Sequence, residues 1–143
     1  MIEPVYIAEH LLYSEVACPC CGTVVFTPAL GRAWDQIRNV LDQPIQVTLG
    51  YRCPRHNKAV GGSKNSQHLA GNALDIACRH IDLESVLIFR LLLDAGFRGI
   101  GHGRGIFHID VRPDPYFWRY VSGGEARDEP LFDLYQSIMK EKH

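Results

Sequence analysis

The sequence predicts an α+β fold, a small mainly antiparallel sheet flanked by helices. Two observations lead there. The chain has 143 residues, the size of one compact domain. Along it, segments with apolar residues at three- and four-residue steps are interspersed with short strand-like runs, joined by connections of hairpin length.

Residues 1–26 mix turns and short apolar runs and read as an ordered arm over the core. Thr27-Pro28 opens a helix, because threonine caps and proline suits a first turn. Leu30, Trp34, Ile37 and Leu41 give it one buried face, and Pro44 ends it. Ile45 to Leu49 alternates apolar and polar residues, as a half-buried strand does. Residues 50–72 form a long polar, glycine-rich loop studded with Arg52, His56, Asn57, Gln67 and His68, a length and composition that point to function. Residues 73–78 read as a short buried strand. Asp82 is placed to cap a helix that runs to about Ala95 and stops at Gly96. Ile100 and residues 106–111 predict two strands joined by the turn Gly101-His102-Gly103-Arg104-Gly105. Residues 130–142 predict a terminal helix with Leu131, Leu134, Tyr135 and Ile138 facing inward. The expected organisation is therefore a single domain over 1–143, with an arm (1–26), a core (27–120) and a C-terminal helix (121–143).

Composition excludes several classes. At 46% hydrophobic and 22% charged the chain matches ordinary globular usage. A net charge of −1 lacks the basic excess of a phosphate-binding protein, so no nucleic-acid partner is expected. No window approaches the roughly 18 apolar residues of a membrane span. The opening Met1-Ile2-Glu3-Pro4 has no basic, apolar leader, so the expectation is cytoplasmic synthesis without a signal peptide. Five cysteines, with Cys18, Cys20 and Cys21 clustered and Cys53 and Cys78 apart, do not make a disulfide framework. Reduced thiols are the plain reading. A structural zinc knuckle at Cys18-Pro19-Cys20-Cys21 is the sharper one, but no second Cys-x-x-Cys pair exists to complete it. A nucleic-acid or interaction protein built on that cluster is a rival that would place the metal there and not at His68.

The chemistry concentrates in Ser66-Gln67-His68-Leu69-Ala70-Gly71-Asn72-Ala73-Leu74-Asp75. Gly71 permits a reversal that brings His68 back beside Asp75 on the following strand. Zinc accepts both donor types, and a catalytic site needs a third protein ligand while leaving a position for water. The strand Phe107-His108-Ile109-Asp110-Val111-Arg112 offers it. There His108, Asp110 and Arg112 share one face, and Phe107, Ile109 and Val111 face the core. A two-histidine, one-carboxylate set also suits iron, so spacing alone does not choose the metal.

The string Ser66-x-His68-x-x-Gly71-x-Ala73-x-Asp75 resembles the metal motif of the zinc D-alanyl-D-alanine carboxypeptidases, whose relatives include phage endolysin peptidases and murein endopeptidases and whose fold is shared with the hedgehog signalling domain. Gly50-Tyr51-Arg52-Cys53-Pro54-x-x-Asn57 with Val60-Gly61-Gly62 is similar to the loop before that motif. Residues 107–112 are similar to the family's last metal strand, and Phe117-Trp118-Arg119-Tyr120 to the segment after that strand. Tyr13-Ser14-Glu15 before the cysteines is similar to the opening of a phage-associated branch, so the resemblance spans roughly 13–120.

The resemblance implies one zinc ion per chain on His68, Asp75 and His108, and a peptidase acting on peptidoglycan stem peptides as a D,D-carboxypeptidase or an endopeptidase. It makes Arg52 the clamp for a substrate carboxylate, with Ser66 and Gln67 hydrogen-bonding nearby. Many members carry a glutamate three residues before the last metal histidine, and here that position is Gly105. The expected proton acceptors are therefore Asp110, or else His102 in its glycine turn; Asp110 has orienting a ligand as its other reading. The alternative function is a zinc-containing module that binds cell-wall peptide without turning it over. A monomer acting at the cell wall, if phage-derived, completes the expectation.

Overall fold

The computed structural model describes residues 3–77 and 85–142. The arm forms β1 (Tyr6–Ala8) and β2 (Leu11–Leu12), which pair antiparallel, and one helical turn, α1 (Tyr13–Val16). Helix α2 (Pro28–Leu41) starts as expected: the Thr27 hydroxyl accepts from the Leu30 N–H at 3.3 Å, and Pro28 occupies the first turn. It stops at Asp42, whose left-handed backbone closes the last turn before Pro44.

The main sheet contains β3 (Val47–Leu49), β4 (Ala73–Ala77), β5 (Gly99–Gly103), β6 (Ile106–Asp110), β7 (Tyr116–Val121) and β8 (Gly124–Arg127). Its spatial order is β3-β4-β6-β5-β7-β8, and every pairing is antiparallel except β5 with β7. The other described helices are α3 (Pro54–Ala59), α4 (Ser85–Ala95) and α5 (Glu129–Glu141). The α+β architecture is as the sequence predicts. No described helix is long and apolar enough to cross a membrane.

Register sorts the sheet into two faces. Leu74, Ile109, Ile100 and Phe117 stand in one cross-strand row and join Trp34, Ile37, Phe89, Leu92 and Ile138 of the helices in the core. Trp34 is fully buried, and removing its side chain would cost about 3–5 kcal/mol. On the opposite face Asp75, His108, Gly101 and Trp118 form a second row, with Ala73, Asp110, Gly99 and Tyr116 alongside it. Strand alternation puts every polar member of β4 and β6 on this face.

Local differences from the expectation have clear causes. The loop after Gly50 contains α3, because Pro54 suits a first helical turn and the Cys53 thiol caps it by accepting from His56 N–H at 3.4 Å. The glycine run is mostly strand: β5 extends to Gly103, and the reversal uses only Arg104 and Gly105, both at positive φ. The segment 121–128, expected to belong to the terminal helix unit, supplies the end of β7 and all of β8, and Asp128 caps α5 through the Leu131 N–H. Asp82 and Cys78 lie outside the described residues.

Candidate active site

His68 sits at the end of a chain of tight turns, in which Leu69, Ala70 and Gly71 donate to the carbonyls of Ser66, Gln67 and His68. Gly71, at φ 72°, reverses the chain; a side chain there would strike the Val25 carbonyl carbon at 2.6 Å. The reversal returns His68 to Asp75, with His68 Nε2 3.2 Å from Asp75 Oδ1. Across the β4–β6 ladder, Asp75 stands opposite His108, whose Nδ1 lies 3.1 Å from the same oxygen. The three expected ligands thus converge from a loop and two neighbouring strands.

The donor set fits a tetrahedral zinc ion. With metal–ligand bonds of about 2.0–2.2 Å, neighbouring ligand atoms stand about 3.3–3.6 Å apart. The observed 3.1 and 3.2 Å need only a slight opening. Each imidazole is also held from behind. His68 Nδ1 donates to the Gly50 carbonyl at 2.7 Å, leaving Nε2 for the metal. His108 Nε2 meets Asp110 Oδ2 at 2.7 Å, leaving Nδ1.

Electrostatics match this arrangement. Burial raises the Asp75 carboxyl, but bonds to His108 and His68 outweigh it and hold the group well below the usual carboxylate range. Burial likewise raises Asp110, yet Arg112 and His108 bring it down to about 2. His108 is 6% exposed; burial lowers its pKa, while Asp110 and Asp75 raise it further and win. Its two ring nitrogens stand between the Asp75 and Asp110 carboxylates.

A cleft of about 490 Å³ opens over this row. Arg52, Ser66, Gln67, Tyr116, Trp118, Tyr120 and Glu125 line it together with the three metal-binding candidates. Arg52 Nη2 donates to Ser66 Oγ at 3.1 Å, while its Nε is buried without a hydrogen-bond partner among the described residues. Gln67 turns its amide oxygen to Asn72 Nδ2. The aromatic wall needs close approach: a side chain at Gly101 would overlap the Trp118 indole, and one at Gly99 the Asp110 carboxylate.

Both expected proton acceptors, Asp110 and His102, are engaged in hydrogen bonds within the fold. Asp110 is fully buried and does not line the cleft. Its oxygens are taken by the Arg112 backbone N–H (3.1 Å), Arg112 Nε (2.8 Å), Arg112 Nη2 (2.7 Å) and His108 Nε2. His102 pairs with Phe107 in the row that faces away from the candidate ligands and binds Asp128 Oδ2 at 2.6 Å, tying β5 to the start of α5. The two-residue spacing from His108 places Asp110 beside it on one strand face, and the fold adds its partners, Arg112 and His108 Nε2. Glu125 has no motif around it in the sequence, and Tyr120 stands at the end of the run Phe117-Trp118-Arg119-Tyr120 with no site role marked; their cross-strand pairing brings both to the cleft. Apart from Asp75, Glu125 is the carboxylate that reaches the cleft among the described residues.

Among comparisons with known proteins, the family model described as Peptidase M15 matches residues 9–111, most of the chain, and includes every candidate ligand. A search of curated proteins found no match.

Proposed function

The chain belongs to the peptidase M15 family of zinc metallopeptidases, and from this premise we propose that it hydrolyses a peptide bond of bacterial cell-wall stem peptides, with His68, Asp75 and His108 as the zinc ligands. The observation that carries the reading is the convergence of those three side chains at the floor of a cleft, each imidazole oriented through its other nitrogen.

Zinc at such a site lowers the pKa of a water toward roughly 7 and polarises the scissile carbonyl. The protein's own groups do the rest. The Gly50 carbonyl fixes the His68 tautomer, and the Asp110–Arg112 pair fixes that of His108. Arg52, held by Ser66 and paired with no carboxylate among the described residues, grips the carboxylate of the stem peptide. Glu125 accepts the proton of the attacking water and returns it to the leaving amine. Tyr116 and Trp118 form the aromatic wall along which the peptide lies. The substrate class rests on the resemblance to the carboxypeptidases, and the unpaired guanidinium in a cleft with polar walls supports an anionic peptide.

Purified protein loaded with zinc is expected to release amines from peptidoglycan, with activity lost on chelation and in His68→Ala, and mass spectrometry of the fragments names the bond. Zinc binding without cleavage of several wall types would refute the enzyme reading and leave a peptide-binding module.

A further inference from the structure

We propose that Cys18, Cys20, Cys21 and Cys53 bind a second, structural zinc ion as four thiolates, tying the N-terminal arm to the segment that carries Arg52. This site is separate from the peptidase centre and does not depend on the reading of its activity.

The geometry comes from two stretches of chain. Cys18 N–H donates to the Thr23 carbonyl and Gly22 N–H to the Cys18 carbonyl, each at 2.8 Å, and Gly22 adopts φ 72°. This turn gathers Cys18, Cys20 and Cys21, and Cys53 arrives from the residue before α3. All four sulfurs lie within 4.8 Å of one another, with Cys20 to Cys53 at 3.3 Å and Cys18 to Cys20 at 3.6 Å. A tetrahedral ion with Zn–S bonds of about 2.3 Å sets its sulfurs about 3.8 Å apart, inside the observed range. A disulfide would use two of the four and needs an S–S length of about 2.05 Å.

The surroundings suit thiolates. Cys53 N–H points at Cys18 Sγ and His56 N–H at Cys53 Sγ, both at 3.4 Å. The Arg55 guanidinium stands 3.9 Å from Cys20 Sγ, so a cation offsets the net negative charge of a four-thiolate zinc. Four sulfurs this close cannot all ionise unaided, whereas a dication lets them. The sequence hides the set because its fourth member lies 32 residues beyond Cys21 and is brought in by the fold.

The placement has a consequence for the cleft. Tyr51 N–H donates to the Val16 carbonyl at 2.7 Å, Gly50 supplies the carbonyl that orients His68, and Arg52 N–H donates to the His68 carbonyl. The four residues 50–53 therefore join the cysteine cluster to the peptidase ligands, and the second ion holds that bridge in place.

The test uses the full chain purified with zinc. Wild type is expected to hold two zinc ions per chain and His68→Ala one. X-ray absorption of His68→Ala is expected to show a sulfur-only shell near about 2.3 Å. Cobalt substituted into the same variant should give an intense thiolate charge-transfer band that disappears in Cys20→Ser/Cys53→Ser on the same background. Because His68→Ala lacks the peptidase ion by design, the sulfur signal reads the cysteine site whether or not the wild type cleaves peptide. Zinc-free His68→Ala, a shell of nitrogen and oxygen only, or a mass short of two hydrogens in protein purified without reductant (a disulfide) would each overturn the proposal. If the cysteine variant does not fold, the absorption spectrum of His68→Ala still decides.

Discussion

Replacing Asp110 by asparagine separates orientation from proton transfer. The aspartate accepts from Arg112 at both oxygens and from His108 Nε2 at one. Asparagine has one acceptor oxygen and one donor nitrogen. If its oxygen faces His108, its NH₂ meets the Arg112 N–H and Nε–H donors. If it is turned round, the NH₂ faces His108 Nε2 and drives the imidazole proton to Nδ1, the atom needed for zinc. Either arrangement strains the site. Loss of such an outer partner weakens metal binding about 10–100-fold, or about 1.4–2.7 kcal/mol. Competition with a chromophoric chelator measures this directly, and saturating zinc is expected to restore most of the turnover. Zinc affinity equal to wild type together with a lasting loss of turnover greater than about 100-fold would refute the reasoning and make Asp110 a proton carrier, since removing a general base costs about 10²–10⁴.

His102→Ala should destabilise the fold by about 1–2 kcal/mol through loss of its bond to Asp128, with kcat unchanged; thermal melts beside a peptidase assay check both halves. Gly101→Ala forces the Trp118 indole aside, so a destabilisation of about 1–3 kcal/mol and altered tryptophan fluorescence are expected. In metal-free protein the raised pKa of His108 means that its protonated form stabilises the fold fully below about pH 6.5, the unfolded value, and that this contribution fades as pH rises through the higher folded value. Zinc competes for the same position on Nδ1, so its affinity should climb with pH over that window, with proton release seen by calorimetry in buffers of different ionisation heat. Arg52→Lys should raise KM more than it lowers kcat, because a point charge replaces a forked donor; steady-state kinetics on wall peptide separate the two.

The sequence by itself determined the helix from Thr27, the strands that carry Asp75 and His108, and the metal-binding candidates, because periodicity and capping are local and the motif around His68 is compact. It also set His108 and Asp110 on one strand face. What surrounds those residues depends largely on parts of the chain distant in sequence. Asp110 meets its donors next door at Arg112, but its burial depends on Gly99 in the adjacent strand. His102 looked available in its glycine turn until β5 registered against β6 and turned it to the far face, toward Asp128. The hairpin bearing Tyr120 and Glu125 reaches the cleft only because β7 pairs parallel to β5. Cys53 joins Cys18, Cys20 and Cys21 only in the folded chain. Local chemistry can be read from spacing, whereas the face a strand presents and the side chains that meet across it depend on cross-strand register, which no single stretch of sequence contains.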